Sequence, residues 1–288
     1  MPSPDTIATF TLHGLTLLWG AAWGSFLNVV IYRLPAGRSV VSPGSACPSC
    51  GHQIRWYENI PVLSWAALGG RCSACKTPIS MRYPAVEAVT AALALATASP
   101  WIGGLLSGGL TPEVAIGGAL AEHVFVFALV AIALIDADTF LIPDVLSLPL
   151  PLLGIGVALL VGDVRGVSWL EAAAGAGVGG LGLLAVQWGY TLATGREGLG
   201  TGDVKLLAGL GAWCGIASLP TLLLLSAVQG LAFAGLMLWT EPNAQAERGG
   251  ARLAHIAVPY GPFLVIAALQ WMLLHQRVAP WLAPWLDG

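Results

Sequence analysis

The sequence predicts an all-α polytopic membrane protein with about eight transmembrane helices and a small cysteine-bearing insertion between the first two. Two observations support this fold class. Hydrophobic residues make up 56% of the 288-residue chain and charged residues only 9%, whereas a water-soluble domain of this size carries about 25% charged residues. The apolar residues also gather in runs of the length that a hydrocarbon layer about 30 Å thick requires of a helix.

Seven apolar runs provide the predicted membrane segments. Six of them have the length of a single crossing: Ile7–Tyr32, Pro84–Leu106, Val114–Ile135, Val145–Val161, Trp169–Ala193 and Ile256–His275. The seventh, Val204–Trp239, is too long for one crossing and is expected to fold back near Ser218. Its first half, Val204–Ser218, would be about 22 Å long as a helix, which is short for a full crossing. We therefore predict eight segments, one of which begins or ends inside the membrane.

The lysines and arginines predict the orientation, because cytoplasmic loops retain positively charged residues. With the N-terminus outside and eight crossings, only Arg165 and Arg277 fall in outer segments. The remaining ten fall in inner loops: Arg33, Arg38, Arg55, Arg71, Lys76, Arg82, Arg196, Lys205, Arg248 and Arg252. The insertion after the first span is thus expected in the cytoplasm. No basic tract suggests a nucleic acid partner.

The insertion, residues 33–83, carries four of the five cysteines as CPSC at 47–50 and CSAC at 72–75, with 21 residues between the pairs. This spacing is typical of a zinc ribbon. Cys47, Cys50, Cys72 and Cys75 would then bind a structural Zn²⁺ and leave no open position for a catalytic water. The alternative is two disulfides or four unpaired thiols, although disulfides do not persist in the cytoplasm.

Two aspartates are predicted at the cytoplasmic ends of membrane helices. Asp136 ends the third span, and Asp203 closes the glycine-rich stretch GLGTGDVK at 198–205. Two carboxyls within a few Å cannot both ionise easily, so that one keeps a proton while the other acts as a base, as in aspartic proteases. The residues alone leave other roles open: Asp203 could cap the following helix, or both acids could relay ions in a transporter.

Six motifs follow one another along nearly the whole chain. They are GSFLNVVIYRLP (24–35), CPSCGHQIRWYENIPVLSW (47–65), CSAC followed by ISMRYPAVE (79–87), LIDADTFLIPDVLSLPL (134–150), GLGTGDVKLLAGLGAW (198–213) and VPYGPFLVIAA (258–268). In these motifs the chain resembles the bacterial type IV prepilin peptidases, also called prepilin leader peptidase/N-methyltransferases, which are GxGD-type aspartic proteases with eight spans. The resemblance implies that Asp136, seven residues before Pro143, and Asp203 are the catalytic pair, with Asp138 as a weaker candidate.

The resemblance also implies a substrate, a cofactor and a location. The substrate would be a prepilin or pseudopilin, cut between a short basic leader and a hydrophobic helix at the cytoplasmic face of the bacterial inner membrane. S-adenosylmethionine would methylate the new N-terminal residue, an activity associated with the cysteine-bearing loop. The chain would divide into a first transmembrane helix (1–32), a cytoplasmic zinc-binding loop domain with four cysteine ligands (33–83) and a transmembrane protease core (84–288).

Several points stay open at the level of sequence. The residues that bind the methyl donor are not identified, although Glu87 could orient the new amine or lie at the level of the lipid headgroups. Gly175 and Gly179 would allow close helix approach, either within the chain or in a homodimer. The competing functions are a GxGD protease for another membrane substrate and an ion-coupled small transporter.

Overall fold

A computed structural model of the chain describes residues 3–195, 200–240 and 258–286. Within these ranges the secondary structure is helical apart from turns and isolated bridges. The helices are α1 (Pro4–Arg33), α2 (Leu63–Ala67), α3 (Arg82–Leu106), α4 (Pro112–Thr139), α5 (Asp144–Ser147), α6 (Pro149–Arg165), α7 (Trp169–Thr194), α8 (Thr201–Cys214), α9 (Leu219–Thr240) and α10 (Gly261–Leu286). The chain forms two compact units, Met1–Ala131 and Ile132–Gly288, and the division falls within α4.

The described helices confirm the predicted membrane character. Six stretches are long and apolar enough to cross a bilayer, and they correspond to six of the eight predicted segments. The other two segments form shorter apolar helices, namely the 14-residue α8 and the stretch Gly261–Leu274 of α10. The expected shortness of the helix that begins near Asp203 is therefore confirmed. Ile256 and Ala257, the first two residues of the last predicted segment, lie outside the described residues.

In the first unit, α1 and α3 pack closely through small residues. A Cβ atom added at Gly24 would lie 2.6 Å from the Cα atom of Glu87, and one added at Gly20 would lie 2.8 Å from the Cα atom of Ala91. Only glycine therefore permits this backbone separation. The Asn28 side chain donates a hydrogen bond of 3.2 Å to the carbonyl of Tyr83. Together these contacts fix the two helices from which the cysteine-bearing loop emerges.

In the second unit, α8 lies at the centre of a group of helices. Gly211 of α8 meets Gly175 of α7 backbone to backbone, and Gly179 lies against Leu207. The indole of Trp213 donates a hydrogen bond of 2.9 Å to the carbonyl of Leu150 on α6. The two glycines that sequence analysis linked to close helix approach thus serve packing within the chain. They give no support for the homodimer that the sequence left open.

The apolar run Val204–Trp239 folds back a few residues earlier than the sequence predicts. Helix α8 ends at Cys214, and Gly215 adopts φ +79°, a conformation that favours glycine. A short 3₁₀ turn over Ile216–Ser218 then leads into α9. The reversal therefore follows from a helix-terminating glycine, whereas Pro220 sits in the first turn of α9, where proline is well tolerated.

Candidate active site and candidate metal centre

Asp136 lies in the last turn of α4 and belongs to the second unit. The residue is only 5% exposed. The helix ends just after it, at Phe140, whose φ of +56° turns the chain away and whose N–H bonds to the Asp136 carbonyl at 2.8 Å. A buried carboxyl at the end of an apolar helix must be compensated by polar neighbours.

Asp203 supplies the second carboxyl, in the first turn of α8. The side chain is half-buried and lies within electrostatic reach of Asp136. The structure thus brings together the two acids that the sequence predicts as a pair, although 66 residues separate them along the chain. Gly198, the first residue of the glycine-rich stretch 198–205, lies outside the described residues.

A backbone N–H completes the surroundings of Asp136. Gly261, the first residue of α10, donates a hydrogen bond of 2.9 Å to Asp136 Oδ2. A Cβ atom added at Gly261 would lie 2.7 Å from the same oxygen, so that only glycine allows this approach. The sequence analysis assigned no role to this residue. The motif VPYGP was the available signal, because a glycine beside a helix start permits close backbone contact.

Two further side chains hold the segments around the aspartates together. The Tyr260 hydroxyl lies 2.6 Å from the buried Ser226 hydroxyl on α9, which fixes the turn before Gly261. Ile142, in the loop after Asp136, lies against both Gly202 and Gly261. A Cβ atom added at Gly202 would lie 2.9 Å from the Ile142 Cβ, and one added at Gly261 would lie 3.2 Å from the Ile142 Cδ1. The loop after Asp136, the glycine-rich stretch and the start of α10 are therefore packed on one another.

The other acids nearby occupy different surroundings. Asp138 is exposed, unlike Asp136 two residues earlier. Asp144 begins α5, and its Oδ1 lies 2.6 Å from Nζ of Lys205 on α8. This ion pair links the loop after Asp136 to the helix that carries Asp203. Being largely solvent-exposed, it contributes little to stability by itself.

The four loop cysteines form a compact cluster in the first unit. Their Sγ atoms all lie within 4.8 Å of one another, and Cys47 Sγ lies 3.8 Å from Cys75 Sγ. Four sulfurs at the usual Zn–S distance of about 2.3 Å on a tetrahedron would lie about 3.8 Å apart. All four cysteines are free thiols rather than disulfides. The donor set and its spacing fit a structural Zn²⁺, as the sequence predicts.

The two knuckles have matching backbone geometry. In the first, the N–H of Cys47 bonds to the His52 carbonyl at 2.9 Å, and in the second the N–H of Cys72 bonds to the Thr77 carbonyl at 2.9 Å. The residue four positions after the first cysteine has a positive φ in both, +74° at Gly51 and +61° at Lys76. Each knuckle is thus the same tight turn presenting two thiols.

Hydrogen bonds around the cluster favour its function as a cation site. The Thr77 hydroxyl and backbone amide lower the pKa of Cys75 to about 6, which favours the thiolate form of this sulfur. His52 does not join the cysteines, because its Nε2 bonds to Glu58 at 3.1 Å. The Arg55 N–H and then the Ser73 side chain lower the pKa of Glu58 to about 2. This carboxylate therefore stays charged close to the cysteine cluster.

Comparison with known proteins places the chain in a family. The model of the bacterial peptidase A24 N-terminal domain matches residues 18–101, and that of the type IV leader peptidase family matches residues 123–235. A prepilin leader peptidase/N-methyltransferase of Pseudomonas aeruginosa is 40% identical over 94% of this chain and 95% of its own length. The chain belongs to the type IV leader peptidase family. A protein of the same name from Aeromonas hydrophila is 38% identical over 93% of this chain and 92% of its own length. Another from Stutzerimonas stutzeri is 41% identical over 91% of this chain and 91% of its own length.

The two matched ranges contain most of the features described above. The four cysteines fall in the first range, and Asp136 and Asp203 fall in the second. Gly261 lies beyond both ranges, and its hydrogen bond to Asp136 is seen in the structure. No solved structure matches the chain significantly.

Proposed function

We propose that this member of the type IV leader peptidase family is an aspartic endopeptidase of the bacterial inner membrane that removes the leader of prepilins or pseudopilins. We further propose that it methylates the new N-terminal residue with S-adenosylmethionine. The pairing of Asp136 and Asp203 at the ends of two apolar helices carries the proposal. The relatives named prepilin leader peptidase/N-methyltransferase match the chain along more than 90% of its length, which supports the substrate and the second activity.

Peptide hydrolysis would use the two carboxyls in opposite protonation states. One aspartate removes a proton from a water molecule as it attacks the scissile carbonyl, while the other donates a proton to the carbonyl oxygen. The Gly261 N–H holds one oxygen of Asp136 in place, so that this carboxyl presents its other oxygen to water or peptide. A carboxyl that is already oriented lowers the activation free energy, because less conformational entropy is lost when the reacting groups come together.

The positive-inside rule supports a location of this chemistry at the cytoplasmic face. Lys205, two residues after Asp203, belongs to the predicted inner set, as do the basic residues of the cysteine-bearing loop. A substrate whose hydrophobic helix lies among the spans would leave its basic leader in water. The peptide bond that joins the leader to the helix would then lie at the level of the aspartates. Membrane lipid is then a further partner of the chain.

The loop cysteines would hold the structural Zn²⁺. A bound Zn²⁺ would supply folding stability to a loop of about fifty residues that has little apolar area to bury. Cys47, Cys50, Cys72 and Cys75 would occupy all four coordination positions, so no water would be activated there. The metal therefore has no part in the peptidase step.

Gly261→Ala tests the backbone contact with Asp136. The added Cβ atom would displace the carboxylate, and a misplacement of about 1 Å costs about 100-fold in rate. We expect leader removal to fall about that much in kcat with KM little changed, measured with a purified prepilin. Gly235→Ala is the matched control, since a Cβ atom at Gly235 on α9 meets no atom within 4 Å. Equal activity of the two variants would contradict the positioning role.

The proposed function is tested with purified enzyme, a panel of prepilins and S-adenosylmethionine labelled at its methyl group. We expect a pilin shortened by its leader, with label on the new N-terminal residue. An unrelated single-span protein serves as the negative substrate. Cleavage of that protein with no cleavage of any prepilin would favour a GxGD protease for another substrate. Ion flux without any cleavage would favour the transporter.

A further inference from the structure

The loop between the two cysteine knuckles contains a strained turn at Val62. This residue has φ +61° and ψ −49°, and the N–H of Leu63 bonds to the carbonyl of Pro61 at 2.6 Å. These are the features of a γ-turn with positive φ, which is rare and strained. A β-branched residue is especially unfavourable in that conformation. The surroundings must therefore hold Val62 in place.

Glu87 provides that support from α3. Its Oε2 accepts a hydrogen bond of 2.7 Å from the N–H of Val62, and the residue is only 8% exposed. Gly24 of α1 packs against the backbone of Glu87, so the residue that carries this carboxylate is part of the close contact between α1 and α3. A buried carboxylate bonded to a backbone N–H is a strong, directional contact. This hydrogen bond gives Glu87 a specific partner within the protein.

The strained turn is also connected to the second cysteine knuckle. Val62 caps α2, and Trp65 of that helix donates a hydrogen bond of 3.0 Å to the carbonyl of Ile79. The Trp65 ring also covers Gly70, whose carbonyl accepts a hydrogen bond of 2.7 Å from the N–H of Ile79. Gly70 and Ile79 flank the knuckle that carries Cys72 and Cys75. A continuous series of contacts thus runs from Glu87 to two of the four sulfurs.

We propose that Glu87 is a positioning residue that fixes the cysteine-bearing loop on the α1–α3 pair, and that methyl transfer depends on this fixation. The second clause rests on the proposed function, whereas the first concerns the structure alone. Glu87 acts here as a hydrogen-bond acceptor. Glutamine can replace it in that role, but it could not replace a carboxylate that removes or binds the proton of the new amine.

Hydrogen exchange of the purified, metal-loaded protein tests the structural part. In Glu87→Ala we expect the amides of residues 60–68 to exchange at least about tenfold faster than in the wild type, as the loss of a charged hydrogen bond implies. Glu87→Gln should retain protection. Glu171→Ala is the matched control, because Glu171 also accepts a backbone N–H at a helix start, from Ser168 at 2.8 Å, but in the other unit. Unchanged exchange in Glu87→Ala would overturn the proposal.

A rescue variant covers the case in which Glu87→Ala folds poorly. Glycine adopts positive φ without strain, so Val62→Gly should let the turn form without the carboxylate. We expect the double variant Val62→Gly/Glu87→Ala to regain protection of residues 60–68 and metal content close to those of the wild type. A double variant no better than Glu87→Ala would show that the strained turn is not what Glu87 supports.

The two activities test the functional part. Methyl transfer should fall at least about tenfold in Glu87→Ala and remain near wild type in Glu87→Gln. Leader removal should persist in both, because the aspartates and their hydrogen-bond partners belong to the second unit. Loss of methyl transfer in Glu87→Gln with unchanged hydrogen exchange would overturn the positioning role in favour of a catalytic carboxylate. A wild-type enzyme without methyl transfer would refute the proposed second activity, while the exchange result would still decide the structural part.

Discussion

Asp203→Asn and Asp136→Asn are each expected to abolish leader removal, with a loss of about 10³-fold or more in kcat. Asparagine keeps the size of the side chain and one accepting oxygen, but it can neither take up nor release the proton. Both variants should insert into the membrane normally. Cleavage of a purified prepilin, followed by mass spectrometry of the product, measures the effect.

The double variant and a neighbouring acid provide the controls. Because the two carboxyls work as one unit, Asp136→Asn/Asp203→Asn should be no slower than either single variant. Asp138→Asn should cleave at the wild-type rate, since Asp138 is exposed while Asp136 is buried. If either single aspartate variant still cleaved a prepilin at near wild-type rate, the proposed catalytic pair would be wrong.

Replacing Cys47 and Cys72 by serine is expected to remove the metal and unfold the cysteine-bearing loop. Structural Zn²⁺ contributes about 10–16 kcal/mol of apparent binding free energy to small zinc domains, far more than other contacts in such a loop provide. Elemental analysis of wild-type protein should find about one zinc ion per chain. Proteolysis of the variant should begin within residues 33–83.

Cys214→Ser is the matched control for the metal. Cys214 is the one cysteine outside the cluster and is buried at the end of α8. Its replacement should leave the zinc content unchanged. Folded wild-type protein that contained no zinc after purification without chelators would rule out the cage.

Local patterns allowed most of the site to be predicted, and long-range packing accounts for what was missed. The spacing of Cys47 to Cys75 indicated a metal cage because the knuckles are local turns. Asp136 and Asp203 were identifiable because charge is rare in such a chain. The hydrogen bond from Gly261 to Asp136 joins residues 125 positions apart and depends on how α10 meets α4, which no sequence period encodes.

The turn at Val62 shows the same limit. Val62 stands in an ordinary-looking stretch, IPVLSW, where nothing marks a positive φ. Its conformation is imposed from outside by Glu87, 25 positions later. The sequence did identify Glu87 as an unusual acid near a membrane boundary, but its hydrogen-bonding partner could be found only in the folded chain.

The length of α8 determines how far Asp203 can lie from the opposite membrane face. Its 14 residues measure about 21 Å, against a hydrocarbon thickness of about 30 Å. At its far end the carbonyl of Trp213 accepts a hydrogen bond of 2.9 Å from Arg165. If that end of α8 lies at the opposite surface, Asp203 is recessed below the nearer surface by several ångströms. Water would then have to reach that depth, and a helical substrate would have to unwind locally before its peptide bond became accessible there.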